Sequence, residues 1–257
     1  MILTPEWEAP ENVAALVTMR TGGVSLGRYQ IFNLAHHVGD NIDVVQANRK
    51  RLKSLLPASL RIQWLNQIHG TDVVLPAITG SGCEDPAEQS GDAIYLNTQG
   101  IAGAVLTADC LPVFFADLRG SCVAVAHAGW RGLADGILEN TLAHFKLPSE
   151  QIVAWLGPAI GPCHFEIGAE VREVFLSQTR SHREREEMSQ SAFVSTGTKG
   201  KWMADLYTLA RLRLRNAGLI KISGGAHCTV CESDSFYSYR RDGVTGRMAS
   251  LIYLNTR

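Results

Sequence analysis

The fold is decided by residues 101–129, which read IAGAVLTADCLPVFFADLRGSCVAVAHAG. Three short apolar runs, Ile101–Thr107, Leu111–Ala116 and Cys122–His127, are separated by polar and turn-forming residues. Apolar runs of this length, bounded by turn residues, are typical of buried strands. The stretch therefore predicts three consecutive strands in the interior of the protein.

The flanking sequence predicts further strands and several helices. Predicted strands lie at Val13–Met19, Ile62–Leu65, Val73–Leu75 and Ile152–Leu156. Predicted helices lie at Asn41–Leu56, which Pro57 ends, at Trp130–Phe145, at Ala169–Ser177, and from Asp205 as N-cap to Ala217. Strands in clusters with helices between them predict a layered α/β or α+β sandwich. Residues 1–257 contain no repeat or linker that would divide them, which predicts a single domain.

Two polar segments in the C-terminal half have patterns that predict their local structure. Ser181–Gln190, SHREREEMSQ, is strongly charged and predicts a solvated face or a mobile loop. The segment 238–254, SYRRDGVTGRMASLIYL, predicts a strand, an Asp-Gly turn and a second strand.

The charge balance excludes some classes of partner. The chain has 24 Lys and Arg against 25 Asp and Glu, a net charge of −1 that argues against a nucleic-acid or membrane-surface role. A small anion stays compatible, because a few arginines in one cleft are enough to hold it. No leader peptide or apolar span is visible, so we expect a cytoplasmic protein with reduced thiols. Cys83, in a turn-like stretch, and Cys122, in an apolar run, are expected to be structural.

Three metal-binding side chains border apolar runs. They are His69 in LNQIHGTDVV, Cys110 in LTADCLPVFF and His127 in VAVAHAGWRG. Strand ends are where side chains from separate strands converge. Thiolate and imidazole are good zinc ligands, and three protein ligands leave a fourth position for water or substrate. These residues predict a metal centre, and the alternative is Cys110 as a nucleophile with His127 as its base.

A second group of cysteines lies in AHCTVC, where Cys228 and Cys231 form a CxxC pair. Such a pair is a redox couple, one half of a zinc site, or plain packing, and packing is the simplest interpretation. The nearest possible complement is Cys163-His164, which is distant in the sequence.

Several blocks of sequence together resemble the YfiH/YlmD-like family, also called peptidoglycan editing factor and once labelled polyphenol oxidoreductase laccase. The blocks are MRTGGVSLGRYQIFNLAHHVGD, NQIHG, GDAIYLN, TADCLPV, AHAGWRG, GPAIGPCHFEIG and FYSYRRDGVTGRMASLI. They extend from about Thr18 to Leu251, nearly the whole chain. Two departures are the loop SGCEDPAEQ, which is longer than usual, and Cys231, which is not a family element.

The resemblance implies a zinc site at His69, Cys110 and His127 within a layered α/β sandwich of mixed sheets. It implies phosphorolysis of adenosine, inosine, guanosine or methylthioadenosine, and hydrolytic deamination of adenosine. Purine nucleosides and phosphate are then the partners. Copper is an alternative metal, since imidazole and thiolate accept both. A multicopper laccase is not indicated, because the chain has no His-x-His pair.

Phosphorolysis needs a phosphate beside the ribose C1′, and an arginine fork binds two oxygens at once. Arg20, Arg131 and Arg240 lie in family blocks and are candidates for this contact, with surface ion pairs as the alternative. Asp109 is expected to orient a ligand imidazole or Arg131. Further candidates from the same blocks are Asn33, Asp92, Glu166 and Arg241, with Trp130 and Phe165 as stacking or core residues.

Two other functions stay open at this point. One is a hydrolase that uses Cys110, alone or on zinc, to cut an amide such as that of a wrongly built peptidoglycan precursor. The other is a zinc-bearing protein without catalytic activity that acts through partners, which a closed cleft near His127 would favour. Phosphate dependence of turnover separates phosphorolysis from hydrolysis.

Overall fold

The computed structural model describes residues 2–76, 85–179 and 181–255. Cys83, which the sequence analysis assigns to a turn, lies outside the described residues. Within these ranges, no helix combines the length and the apolar character that crossing a bilayer requires.

Strands dominate the described chain, and helices connect them. The strands are β1 (Ile2–Leu3), β2 (Val13–Thr18), β3 (Arg61–Gln63), β4 (Leu65–Asn66), β5 (Val73–Val74), β6 (Gln89–Ser90), β7 (Ala93–Leu96), β8 (Ile101–Thr107), β9 (Leu111–Asp117), β10 (Val123–Ala128), β11 (Ile152–Leu156), β12 (Glu166–Gly168), β13 (Phe193–Ser195), β14 (Lys201–Ala204), β15 (Lys221–Gly224) and β16 (Met248–Leu254). The helices are α1 (Ile42–Lys53), α2 (Trp130–Asp135), α3 (Ile137–Ala143), α4 (Ala169–Ser177), α5 (His182–Ser191), α6 (Leu206–Asn216) and α7 (Tyr239–Asp242).

Two large sheets form the body of the described structure. One has the strand order β1-β2-β16-β8-β3, and the other has the order β15-β11-β9-β10-β7-β5. Both sheets are mixed, since β3 pairs with β8, β11 with β15 and β5 with β7 in parallel while the remaining neighbours are antiparallel. The predicted layered α/β sandwich of mixed sheets is therefore confirmed.

The core consists of layers that follow the period of two along each strand. In β9, Phe114 packs into the cluster between the two large sheets, whereas Val113 and Phe115 face the helices α3 and α6. A separate cluster, which includes Leu52 of α1, covers the outer face of the five-stranded sheet. Because β8, β9 and β10 have buried residues on both faces, their sequences are continuously apolar, as the prediction for residues 101–129 required.

The single helix predicted over Trp130–Phe145 is wrong, because two helices, α2 and α3, occupy this stretch. Gly136 separates them with φ 102°, a left-handed conformation that ends α2 and begins α3 at a new angle. Residues on the helical apolar stripe, such as Leu133 and Leu138, are still fully buried. Periodicity therefore identified the buried face correctly but missed the break.

Two polar segments are helical: the first is the charged run, whose predicted solvated face agrees with its mostly exposed residues, and the second was predicted as a strand. The charged run Ser181–Gln190 forms α5, in which the Ser181 side chain accepts from the Glu184 N–H and Met188 is the buried anchor. The segment SYRRD forms the short helix α7, capped by Ser238, and not a strand. In both segments a serine side chain accepts a hydrogen bond from the first helical turn, which favours a helix over an extended or irregular backbone.

Candidate functional site

Strand register brings Cys110 and His127 together. Cys110 lies where the chain leaves β8 of one large sheet and enters β9 of the other. In the β9–β10 ladder, Pro112 faces His127 and Leu111 faces Ala128, so Cys110 comes next to Gly129. A Cβ on Gly129 would lie 3.0 Å from His69 Cδ2 and 3.3 Å from Cys110 Sγ. Any larger residue at this position would crowd the side chains that converge here.

His69 completes the group from the loop between β4 and β5. Its backbone has φ 58°, and its ring lies 4.9 Å from the His127 ring, nearly perpendicular to it at 86°. The ligand atoms of His69, Cys110 and His127 all lie within 4.8 Å of one another. The structure therefore brings together the three residues that the sequence suggested, which we call the trio.

The buried carboxylate of Asp92 holds two members of the trio in place. Its Oδ1 lies 2.9 Å from His127 Nδ1 and accepts the His69 N–H at 3.0 Å, while Oδ2 accepts from the Gly70 N–H at 2.7 Å. With Nδ1 assigned as the donor to Asp92, the Nε2 of His127 is left to face the other two side chains. The same hydrogen bonds lower the pKa of Asp92 despite its burial.

The electrostatics of the metal-free site favour a thiolate at Cys110 and an imidazolium at His127. Burial opposes ionisation of the Cys110 thiol, but His127 and His69 outweigh burial and lower its pKa. Burial also opposes charge on His127, but Cys110 and Asp92 raise the pKa of His127 above its ordinary value. Deprotonated sulfur is the form that binds metals and attacks carbonyl groups.

The trio opens into a cavity of about 460 Å³, within the usual size range of ligand pockets. Apart from the trio, its polar and aromatic lining consists of His37, Gln67, Thr107, Asp109, Phe165, Tyr239, Arg240 and Arg247. The cleft near His127 is therefore open, which disfavours the interpretation as a zinc-bearing protein without a substrate site.

Asp109, Phe165 and Arg240 are the predicted substrate residues that line this cavity. Asp109 has φ 97°, and its carboxylate accepts from the Thr229 hydroxyl and from the Arg240 N–H, both at 2.6 Å. The Arg240 guanidinium donates from Nη1 to the carbonyls of His164 and Glu166. Asp109 thus ties the loop before Cys110 to the segment that carries Arg240, and both charged groups stay at the cavity wall.

The structure does not bring Arg20, Asn33 or Arg131 to the cavity. Arg20 donates to the carbonyls of Gln30 and Ser233, and Arg131 is exposed with its guanidinium stacked 4.4 Å over the Trp130 ring. Asn33 is fully buried, where its Oδ1 accepts the backbone N–H groups of Ala35 and Arg247. Three other candidates also make structural contacts: Arg241 with Asp242, Glu166 with Lys201, and Trp130 with the core.

Sequence reasoning missed Arg247, His37, Gln67 and Tyr239 as cavity residues. Arg247 is half-buried near Cys110 and Asp109, and it donates to the carbonyls of Thr245 and Gly246. All four lie in blocks that carry the family resemblance, namely NLAHHVGD, NQIHG and YSYRRDGVTGRM. Those blocks were the available signal, although only tertiary structure distinguishes their lining residues from their neighbours.

Comparison with known proteins agrees with the geometry. A family model described as multi-copper polyphenol oxidoreductase laccase matches residues 14–255. The protein named purine nucleoside phosphorylase YfiH from Escherichia coli K12 is 48% identical over 253 residues, covering 98% of each chain. The chain belongs to the YfiH family.

Two solved structures are similar to this chain in fold as well as in sequence. A Neisseria meningitidis protein of known crystal structure superposes with a TM-score of 0.89 at 47% identity, covering 99% of both chains. The crystal structure of YlmD from Geobacillus stearothermophilus superposes with a TM-score of 0.84 at 33% identity, covering 96% of this chain and 93% of YlmD. The layered sandwich is therefore shared across the full length.

Proposed function

We propose that this chain is a zinc-dependent purine nucleoside phosphorylase acting on adenosine, inosine, guanosine and methylthioadenosine. The observation that carries the proposal is the trio of His69, Cys110 and His127, backed by Asp92 and open to a cavity of about 460 Å³. Relatives that match over their full length are named purine nucleoside phosphorylases, which supplies the reaction class.

The trio suits one zinc ion. One thiolate and two imidazoles are the donor set of a catalytic zinc site. Among the residues that the structure describes, no fourth Cys, His, Asp or Glu joins the trio, so a fourth position on the metal stays open. The Asp92 carboxylate accepts from His127 Nδ1 and so orients the imidazole for metal binding through Nε2. When bound, zinc supplies a Lewis acid that stabilises negative charge in the transition state. A single copper ion is the alternative occupant of the same three ligands.

In phosphorolysis, a phosphate oxygen bonds to the ribose C1′ while the C1′–N bond breaks and its electron pair leaves with the purine, which takes up a proton. Arg247 and Arg240 are the cationic side chains at the cavity wall, so we assign them to phosphate binding. Phe165 and Tyr239 offer aromatic faces to the purine. The positive charge of Arg247 lies close to the Cys110 sulfur, so phosphate and metal would be neighbours.

The experiment is base release with and without phosphate. Purified protein loaded with zinc is incubated with inosine, and hypoxanthine and ribose 1-phosphate are measured by chromatography. We expect both products only when phosphate is present. Release of hypoxanthine at metal saturation without any phosphate dependence would reject phosphorolysis. With adenosine, adenine reports phosphorolysis, whereas inosine reports hydrolytic deamination, which we propose as a second activity of the same site.

A specific observation supports a second candidate, an amidohydrolase that edits peptidoglycan precursors. Asp92, His127 and Cys110 form a carboxylate–imidazole–thiol series in which the thiol is activated without metal. In that case the Cys110 sulfur would bond to the amide carbon as the C–N bond breaks, His127 would protonate the leaving amine, and water would then hydrolyse the thioester to release the acid and the thiol. Metal removal separates the two candidates. Amide hydrolysis that persists in metal-free protein supports Cys110 as a nucleophile, whereas loss of nucleoside phosphorolysis in metal-free protein supports the zinc enzyme.

A further inference from the structure

Two loops meet at a point that the proposed reaction does not use. Residues 157–165 follow β11 and residues 225–236 follow β15, and these strands are parallel neighbours, so both loops leave the same end of the sheet. The loops are joined by a bridge between Ala159 and Cys228. A Cβ on Gly161 would lie 3.0 Å from Cys228 Sγ, so glycine permits this close approach.

The meeting of the loops gathers four metal-binding side chains. Ligand atoms of Cys163, His164, Cys228 and Cys231 all lie within 4.8 Å of one another. Cys231 Sγ lies 3.6 Å from both Cys163 Sγ and His164 Nδ1, and His164 Nδ1 lies 3.0 Å from Cys163 Sγ. Ligands at zinc bond lengths in a tetrahedron are separated by about 3.5–3.8 Å, so the group needs little adjustment to share one ion.

The CxxC turn presents Cys228 as an electron-rich sulfur. The backbone N–H of Gly161 donates to its Sγ at 3.2 Å. An N–H donor on a sulfur favours the thiolate, the form in which cysteine binds a metal. Plain packing of a thiol does not require this arrangement.

Two arginines place positive charge behind the ligand loops. Arg240 Nη1 donates to the carbonyls of His164 and Glu166, at 3.0 and 3.1 Å. Arg241 Nη1 donates to the carbonyls of Thr229 and Val230, at 2.8 and 3.2 Å. Three thiolates and one divalent ion carry a net charge of −1, which the Arg240 guanidinium offsets, since that of Arg241 is paired with Asp242.

We propose that Cys163, His164, Cys228 and Cys231 bind a second zinc ion in a closed, four-ligand site that joins the two loops. Binding replaces three thiol protons, which go to solvent, by one Zn²⁺, and no electron transfer takes place. The site holds the loop that ends at Phe165, whose neighbouring carbonyls accept from Arg240, at the wall of the cavity, and so it is structural. It does not depend on the proposed function, since its occupancy is independent of the reaction at the trio.

The test is metal stoichiometry in the full chain. Protein without an affinity tag is purified under reducing conditions, equilibrated with excess zinc, passed through gel filtration and analysed for zinc per chain. We expect two zinc ions in the wild type, one in C228S/C231S and one in C110S. The matched control Cys122→Ser, which removes a thiol outside both clusters, should keep two.

A count of one zinc in the wild type that C228S/C231S leaves unchanged would overturn the second site. A Cys163–Cys231 disulfide in freshly reduced and purified protein would overturn it too, because that bond consumes two ligands. If the double variant does not fold, Cys231→Ser and cobalt substitution replace it. Three thiolates on Co²⁺ give stronger sulfur-to-metal charge-transfer absorption than one, so the band should weaken in Cys231→Ser and persist in Cys110→Ser.

Discussion

The trio and the four-residue cluster use the same ligand chemistry in different settings. In the trio, His69 is exposed and Cys110 is half-buried, but His127 is 2% exposed, and the buried Asp92 supports the ligands from within the sheet. In the cluster, Cys163, His164 and Cys231 are exposed, and loop carbonyls held by two arginines provide the support. Three ligands facing a cavity leave a position for substrate, whereas four ligands on a surface leave none. The comparison suggests that one site serves reaction and the other serves loop structure.

The largest effect is expected from removing the thiolate of the trio. Cys110→Ser should lose trio zinc and lower kcat/KM for inosine by about 10³-fold or more, since a Lewis acid is worth several kcal/mol of transition-state stabilisation. Cys231→Ser, the matched change in the cluster, should cost less than about tenfold, because no ligand there touches substrate. Steady-state kinetics and zinc analysis check both variants.

Three results would break this comparison. Equal losses in the two variants would contradict the division into a reactive and a structural site. If Cys110→Ser lost activity but kept its full zinc, Cys110 would act as the nucleophile of the hydrolase candidate. Full activity in Cys110→Ser would reject the trio as the reaction centre.

A second effect concerns the support behind the trio. In Asp92→Asn an amide N–H₂ replaces one acceptor oxygen and meets donors such as the Gly70 N–H or His127 Nδ1–H. Loss of such support lowers metal affinity or activity by about 10–100-fold. Competition with a zinc chelator measures the affinity, and Asp72→Asn is the control, because Asp72 contacts Asp92 through its backbone carbonyl only. Equal affinities in both variants would mean that Asp92 does not position the ligands.

The sequence predicted site residues best where they lie directly at the end of an apolar run. Cys110 and His127 end or precede apolar runs, which made them candidates for one site, and the family resemblance implied that they bind zinc together with His69. Asp92 was only one candidate among several, because its role depends on β7 pairing with β10 and on the His69 loop folding back over it. The β7 strand itself, Ala93–Leu96, was not predicted.

The phosphate-binding prediction shows the opposite case. Arg20, Arg131 and Arg240 were chosen from family blocks, and only Arg240 reaches the cavity, whereas Arg247 had no distinguishing pattern in GRMASLI. Which side of a loop carries a guanidinium group depends on tertiary hydrogen bonds such as those of Arg247 with Thr245 and Gly246. The prediction that residues 1–257 form a single domain stays a prediction.

A third effect tests these arginines. Arg247→Ala should raise the KM for phosphate by about tenfold or more, since a hydrogen bond to a charged group is worth about 1.5–3 kcal/mol. Arg131→Ala should leave this KM unchanged, because its side chain is exposed and stacks on Trp130 outside the cavity. Initial rates at varied phosphate and saturating inosine make the comparison. If Arg131→Ala had the larger effect, phosphate would bind elsewhere.

The smallest expected change is a shift in the pH at which Cys110 is half-maximally reactive toward an alkylating reagent. The same measurement compares the trio with the four-residue cluster. In metal-free protein, His127 and His69 lower the pKa of Cys110, whereas the neighbouring sulfurs of Cys228 and Cys163 raise the pKa of the exposed Cys231. Only the thiolate is alkylated, so Cys110 should react with a small reagent at neutral pH and lose reactivity as the pH falls through its lowered pKa. Cys231 should react only at pH well above neutrality, although it is the more accessible thiol.

Replacing His127 by Gln removes the cation next to Cys110 and should raise the Cys110 midpoint by at least about one pH unit, while the alkylation rate of Cys231 stays unchanged. Alkylation rates from pH 4 to 10, read for each cysteine by peptide mass spectrometry, measure the Cys110 midpoint and follow the slow reaction of Cys231 in the same sample. A Cys110 midpoint at an ordinary thiol value in the wild type would contradict the thiolate–imidazolium pair. A changed alkylation rate of Cys231 in His127→Gln would mean that the two clusters are coupled and are not separate sites.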